Sequence, residues 1–180
     1  GLLDATIMLN LDTEDDDELT IGCAGGIDVT ATGSYNTETV PSDSFGVIIN
    51  LKGLTGGHSG MDIHRGRANA NKLMNRVLYG VCGQFGARIE SVDGGSLRNA
   101  IPRESVAIVA IPSSQKETLF SHLSQQNAIL KEEYSTTDPN IDLVFETTSL
   151  GGSVMAKPDQ DKLLRAIYAC PIGIYRMSPE

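Results

Sequence analysis

The order of strands and helices predicted between Phe45 and Ser149 restricts the fold of this chain more than any other feature. A strand-like run, Phe45–Leu54, precedes a stretch in which apolar residues recur at every third or fourth position. This spacing places the apolar residues on one face of a helix, which Gly83 and Gly86 are predicted to end. The apolar residues are Ala70, Leu73, Met74, Val77, Leu78, Val81, Cys82 and Phe85.

The same alternation of strand and helix continues after Gly86. Two strands are predicted at Ala87–Gly95 and Ala100–Pro112. A second helix is predicted over Ser113–Ser135, with Ser114 and Glu117 at capping-box spacing, and a fourth strand over Asn140–Ser149. The resulting order, β-α-β-β-α-β, predicts an α+β fold of two layers. It is the split, ferredoxin-like arrangement, a four-stranded antiparallel sheet with both helices on one face.

Flanking segments are predicted to add short strands and a third helix. Pro158 suits the first turn of a helix over Lys157–Pro171, and Thr37–Ser44 has the composition of a connector. Three short strands are predicted at Ala5–Asp12, Leu19–Gly26 and Val29–Tyr35.

These segments divide the chain into three predicted parts. Residues 1–36 form one part, residues 45–149 the main domain, and residues 150–180 a C-terminal helix and the start of a further segment. Because the chain opens on Gly1 without an initiator methionine, we expect it to be a piece of a longer protein.

Charge and cysteine content exclude several classes of function. The net charge is −9 and no basic stripe is present, so a nucleic-acid partner is not expected. Cys23, Cys82 and Cys170 form neither an even set nor a CxxC pair, which favours reduced thiols in a cytoplasmic protein. No apolar run approaches the roughly 20 residues that span a bilayer, so no membrane association is expected.

An acidic run, Asp12–Glu18, follows the first predicted strand. Carboxylates at alternate positions can bind calcium, but the run lacks the glycine and distal glutamate of an EF-hand loop. A solvated acidic turn is the alternative for Asp15–Glu18. Asp12 differs, because it comes directly after an apolar strand and would be held at a rigid strand end, where single metal ligands often lie.

Two of the three histidines lie in one glycine-rich stretch. His58, in GGHSG, stands between a predicted strand and helix, where an imidazole can donate a hydrogen bond to a carbonyl oxygen that gains charge. The alternative is a loop histidine without such a role. His64 is predicted to cap or pair with Asp62 or Asp28, and His122 to lie on a solvated helix face. No HExxH motif accompanies them, so a self-contained zinc site is not expected.

A second polar cluster, SLRNAIPRE, precedes the third main strand. The side chains of Arg98, Asn99 and Arg103 could bind a substrate carboxylate. They could equally be a turn asparagine with exposed arginines. Sequence alone leaves both interpretations open.

Three stretches together resemble one metallopeptidase family. NLDTEDDDELTIGCAGG, GLTGGHSGMDIHRGRANANKL and GGSLRNAIPRE are similar, in order and spacing, to the di-zinc family that includes carnosinases and aminoacylases. Within it they most resemble the aminoacyl-histidine dipeptidase branch, which hydrolyses Xaa-His dipeptides.

The resemblance implies a role for three residues. Asp12 would bind one of two zinc ions, His58 would stabilise the oxyanion from an inserted lid domain, and Asn99 would hold the dipeptide substrate. It also implies a homodimer. The family's other metal-binding motifs are absent from these 180 residues, so we expect this polypeptide alone to be inactive. The rival interpretation is a stand-alone dimeric, ferredoxin-like module that binds a small ligand.

Overall fold

The computed structural model describes residues 25–177, together with Asp4, Thr6, Ile7 and Asp17. The chain divides into two compact units, Gly1–Thr32 and Gly33–Glu180, and each helix and strand named below lies in the second. None of the helices described is long and apolar enough to cross a membrane. The first two predicted strands, and the acidic run after the first, lie almost entirely outside the described residues.

The elements of the second unit follow the predicted order, with short additions. Two single 3-10 turns, Ile63–Arg65 and Ser113–Gln115, lie between them. In chain order the elements are β1 (Thr37–Thr39), β2 (Ser44–Lys52), β3 (Gly57–His58), α1 (Ala70–Phe85), β4 (Arg88–Gly94), β5 (Ala100–Ile101), β6 (Ser105–Pro112), α2 (Lys116–Glu133), β7 (Asp142–Thr148), β8 (Ser153–Met155) and α3 (Lys157–Ala169).

The main sheet has four strands in the order β4-β6-β2-β7, and each neighbouring pair is antiparallel. The two central strands, β2 and β6, are the first and third of these four in chain order, which is the split βαββαβ arrangement. The predicted α+β fold is therefore confirmed.

The hydrophobic core fills the space between the sheet and helices α1 and α2. Along β2, Val47, Ile49 and Leu51 are buried in this core, whereas Ile48 and Asn50 alternate onto the opposite face and are only half-buried. Full burial of one such aliphatic side chain contributes about 1.5–3 kcal/mol. The alternation of β2 thus fixes which face of the sheet the helices cover.

Helix α1 begins and ends with recognisable caps. The side chain of Asn69 accepts a hydrogen bond from the main-chain amide of Lys72 at 3.2 Å, and Gly86 ends the helix with a φ of 67°. The prediction that Gly83 also ends the helix is wrong. Gly83 lies inside α1, and a glycine with ordinary helical dihedrals does not by itself stop the hydrogen-bond ladder.

Two further local predictions are wrong. The predicted strand Ala100–Pro112 is split into β5 and β6 around Pro102, which has no amide hydrogen for a strand ladder. The capping box at Ser114 does not form, because the chain first makes a 3-10 turn and α2 begins at Lys116 without a side-chain cap.

The predicted connector contains a strand, and the preceding predicted strand does not form. Strand β1 pairs antiparallel with β8, so that Thr37 lies opposite Met155. Residues 29–35 are exposed and form no strand. Residues with high β propensity form a strand only where a neighbouring strand pairs with them. The domain boundaries predicted around this connector stay a prediction.

The third helix confirms its prediction, with Pro158 in its first turn. It is attached to the rest of the unit by polar side chains. Buried Gln160 accepts from the main-chain amide of Ile89 at 2.8 Å and donates to the carbonyl of Ala87 at 3.1 Å. At the other end, the ammonium of Lys72 donates to the carbonyls of Ile167, Tyr168 and Cys170.

Candidate functional site

His58 and Asn99, which the sequence places far apart, meet in a small two-stranded ribbon. Strands β3 and β5 pair antiparallel, with His58 opposite Ala100. Beside this pair, the main-chain amide of Ser59 donates to the carbonyl oxygen of Asn99 at 2.9 Å. Both His58 and Asn99 are exposed, so the imidazole and the carboxamide face solvent at neighbouring, diagonally placed positions of the ribbon.

The imidazole of His58 is oriented by its own loop. Its Nδ1 atom accepts hydrogen bonds from the main-chain amides of Gly60 at 3.1 Å and Met61 at 3.2 Å. Because an acceptor nitrogen carries no hydrogen, this pattern assigns the proton of the neutral ring to Nε2. No described residue accepts from Nε2, which is therefore a donor available to a ligand.

Glycine is required at two positions of this loop. Gly56 and Gly57 have φ angles of 65° and 141°, which side chains on L residues rarely allow. A Cβ atom on Gly57 would lie 2.6 Å from Oδ2 of Asp62 and would clash with the guanidinium of Arg67. The loop packs so tightly behind His58 that only glycine fits.

Asp62 provides the main anchor of this turn. Its Oδ2 accepts from the main-chain amide of His58 at 2.8 Å, while its Oδ1 lies 3.0 Å from Nε of Arg65 and 3.4 Å from Nη1 of Arg67. The hydrogen bond from His58, and then the two arginine charges, lower the pKa of the Asp62 carboxyl. Asp62 is thus a stable carboxylate at neutral pH.

The two ends of the loop that carries His58 are joined by a single buried carboxylate. Asp138, which is fully buried, accepts from the main-chain amide of Thr55 with Oδ1 and from that of Ala68 with Oδ2, both at 2.8 Å. The hydroxyl of Thr55 also donates to the carbonyl of Thr137 at 2.7 Å. The loop is therefore fixed at its base to the segment that follows α2.

A groove of about 1020 Å³ lies between this ribbon and the outer face of the sheet. Its walls include apolar Leu97 and Ile101 beside charged Lys52, Arg103 and Glu104. Neither His58 nor Asn99 is among the residues that line this groove.

The other histidines and arginines singled out from sequence lie in different settings. His64 is exposed in the 3-10 turn after the loop. His122 is half-buried, with its ring 5.1 Å from that of Phe85, so the prediction of a solvated helix face is wrong. A ring contact between α1 and α2 covers it. Arg98 and Arg103 flank Asn99 and are exposed.

The described residues do not form a metal site. Within 25–177 and the four isolated positions, no group of three or more His, Cys, Asp or Glu side chains is close enough to hold a metal ion. Asp12, the predicted zinc ligand, lies outside the described residues. The imidazole and the carboxamide found here can each donate a hydrogen bond to a carbonyl oxygen.

Sequence analysis overlooked the residues that hold His58 in place. Asp62 was considered only as a partner for His64, and Arg67 and Asp138 were not singled out. An aspartate four residues after a histidine in a glycine-rich turn is a signal that could have identified Asp62. Nothing in the sequence near Asp138 indicates that it reaches the loop.

Comparison with known proteins identifies relatives of this chain. The family model described as the peptidase dimerisation domain matches residues 49–138. The cytosol non-specific dipeptidase of Escherichia coli (strain K12) is 38% identical over 176 residues, which are 98% of this chain and 36% of that protein.

A solved structure is similar in fold as well as in sequence. The crystal structure of aminoacylhistidine dipeptidase from Vibrio alginolyticus superposes with a TM-score of 0.78 and 39% identity, over 81% of this chain and 30% of that one. The chain thus spans about a third of the length of both relatives.

Proposed function

The chain belongs to the peptidase dimerisation domain family, and we propose that it is the lid domain of a longer metal-dependent dipeptidase. In this proposal the domain closes over a dipeptide bound elsewhere in the protein. It contributes donors to the reaction and does not carry out hydrolysis by itself.

One observation carries this proposal, namely the adjacency of His58 and Asn99 on the β3–β5 ribbon. A domain that served only for dimerisation would not need an exposed imidazole whose Nδ1 accepts hydrogen bonds from two main-chain amides. Peptide hydrolysis does need such a donor, because the carbonyl oxygen gains negative charge on the way to the tetrahedral intermediate.

The roles of the two side chains follow from their chemistry. The Nε2–H of His58 would donate to the carbonyl oxygen of the scissile peptide as charge develops there. The carboxamide of Asn99 would hold the substrate by hydrogen bonds, so that the carbonyl stays in reach of the imidazole. Donors that arrive only when the lid closes also exclude water from the site.

The proposed catalytic metal is zinc. We propose two zinc ions in the longer protein, with Asp12 as one ligand, because Asp12 follows a predicted strand in a stretch that resembles the di-zinc peptidases. A bound zinc ion would polarise the peptide carbonyl and activate a water molecule. Among the described residues, no three His, Cys, Asp or Glu side chains lie close enough together to hold a metal ion.

The proposed substrates are dipeptides that end in histidine. The Vibrio relative is an aminoacylhistidine dipeptidase, whereas the Escherichia relative is a non-specific dipeptidase. We propose Xaa-His dipeptides as preferred substrates within a wider range. A homodimer is proposed from the family of the domain, and a cytoplasmic location from the name of the cytosol dipeptidase.

The test is to replace His58 by alanine in the longer protein and to measure turnover of Xaa-His dipeptides. Loss of an oxyanion donor should lower kcat by about 100-fold or more, with a smaller change in KM. His64→Ala is the matched control, because His64 is exposed and lies six residues further on. A normal kcat in His58→Ala would remove this residue from the mechanism.

Replacing Asn99 by alanine tests the second role. If the carboxamide holds the substrate, KM should rise by more than kcat falls. Equal loss of kcat and kcat/KM would instead make Asn99 a residue that acts only in the transition state.

A further inference from the structure

The two oxygens of Asp62 serve different parts of the loop. Oδ2 binds the main chain at His58, and Oδ1 faces the guanidinium groups of Arg65 and Arg67. The amide of Asp62 also donates to the carbonyl of His58 at 3.0 Å. The residues between them, which include the amides of Gly60 and Met61, are therefore enclosed by hydrogen bonds in both directions.

Arg67 extends this arrangement to the other side of His58. Its Nη1 donates to the carbonyl of Gly56 at 2.6 Å and lies 3.4 Å from Oδ1 of Asp62. Arg67 and Asp62 are mostly shielded, with 17% and 21% of their side chains exposed. The pair therefore bridges the main chain on the two sides of Gly57, from the carbonyl of Gly56 to the amide of His58.

Resting on the proposed role of His58, we propose that Asp62, held by Arg67, is a positioning residue for that histidine. Asp62 fixes the turn in which the amides of Gly60 and Met61 face Nδ1. It thereby determines that Nε2 carries the hydrogen and that this hydrogen faces away from the loop. Asp62 touches neither substrate nor metal in this scheme and acts only through His58.

The alternative is an ordinary surface ion pair, which would contribute little to stability and nothing to the reaction. The geometry argues against it. Oδ2 of Asp62 accepts from the main-chain amide of His58 at 2.8 Å, while both arginines lie against the other oxygen, Oδ1, at 3.0 and 3.4 Å. One carboxylate oxygen therefore binds the loop main chain and not an ion partner.

The experiment compares Asp62→Ala with Asp62→Asn in the longer protein. Hydrogen exchange across residues 57–62 should speed up in Asp62→Ala, since the turn loses its anchor, while exchange in β2 and β6 stays unchanged. Turnover should fall by about 100-fold through misplacement of the imidazole, with little change in KM. Asp62→Asn keeps an acceptor for the amide of His58 and should restore part of both losses.

A double-mutant cycle separates positioning from general damage. In a His58→Ala background, Asp62→Ala should change kcat by less than about two-fold, because a residue that acts through His58 has nothing left to act on. Further loss of kcat in that background, or normal exchange and turnover in Asp62→Ala alone, would overturn the proposal. Asp161→Ala, which removes an exposed ion pair with Lys157, is the matched carboxylate control.

The same experiment distinguishes the two proposals. If His58→Ala turns over normally, the proposed function fails. The exchange data then still decide whether Asp62 orders the loop. If His58→Ala is slow but Asp62→Ala is not, only the role of Asp62 fails.

Discussion

His58 and Asp62 bond to each other in both directions, since the amide of His58 donates to Oδ2 of Asp62 at 2.8 Å and the amide of Asp62 donates to the carbonyl of His58 at 3.0 Å. Such reciprocal bonding closes a turn of five residues around the imidazole. The position of the imidazole therefore depends on the main-chain geometry of this turn. Substitution of a glycine in the turn should reveal this dependence.

Replacement of Gly57 by alanine should distort this turn. A φ of 141° strains an L residue, and the new Cβ would lie 2.6 Å from Oδ2 of Asp62. We expect a loss of about 1–3 kcal/mol in the free energy of unfolding. Urea denaturation measures it.

Gly83→Ala is the matched control for Gly57→Ala. Gly83 lies inside α1 with no atom near the position of a new Cβ. Alanine there should raise the free energy of unfolding by about 0.5–1 kcal/mol. If both substitutions destabilise the protein equally, the steric account of Gly57 is wrong.

Removal of the buried carboxylate at Asp138 should loosen both ends of the loop. Asp138→Ala leaves the amides of Thr55 and Ala68 without their acceptor. We expect a loss of about 3 kcal/mol, since hydrogen bonds to a charged group are among the stronger ones. Chemical denaturation measures this loss, and Asp138→Asn, which keeps one acceptor oxygen, should lose less.

Acid should destabilise the domain only below the ordinary range of carboxyl pKa values. Hydrogen bonds from Lys131 and then Asn127 lower the pKa of Asp142 from its ordinary 3.8. A carboxyl with a lowered folded-state pKa stabilises the protein fully above the unfolded value and loses this contribution as pH falls toward the folded value. The melting temperature should therefore be constant from pH 7 to about 5 and should fall steeply below about pH 3.8.

Asp142→Asn tests the cause of that acid sensitivity. The substitution removes the titrating group and the ion pair with Lys131. The variant should be less stable than the original at pH 7 and should lose less on acidification. An unchanged pH dependence would assign the effect to other carboxyls.

The cysteines should differ in reactivity toward alkylating agents. Burial raises the pKa of the Cys82 thiol to about 12, whereas Cys170 is exposed. In a Cys23→Ser background, iodoacetamide at pH 8 should modify Cys170 rapidly and Cys82 only after denaturation, because the thiolate is the reactive form. Mass spectrometry of the digested protein measures both sites.

The sheet and helices were predictable because their signals are local. The alternation in β2 and the spacing of apolar residues from Ala70 to Phe85 follow directly from side-chain geometry in strands and helices. The capping box at Ser114 failed because a 3-10 turn, tied to the carbonyl of Asp43 through Ser113, occupies the start of α2. A local pattern does not contain that long-range contact.

The candidate site was predictable only in its parts. His58 stood out by its glycines and Asn99 by its polar neighbours, but their adjacency depends on the pairing of two strands of two residues each. Strands this short leave no periodic signal. The anchoring by Asp138 depends on tertiary structure, because Asp138 is 83 residues from Thr55 and 70 residues from Ala68 in the sequence.

The pairing of β1 with β8 brings Thr39 opposite Ser153, so the stretch between them starts and finishes at neighbouring points. The chain thus enters and leaves the four-stranded sheet with helices α1 and α2 at the same place. Adjacent ends are the geometry that domain insertion requires of an inserted segment.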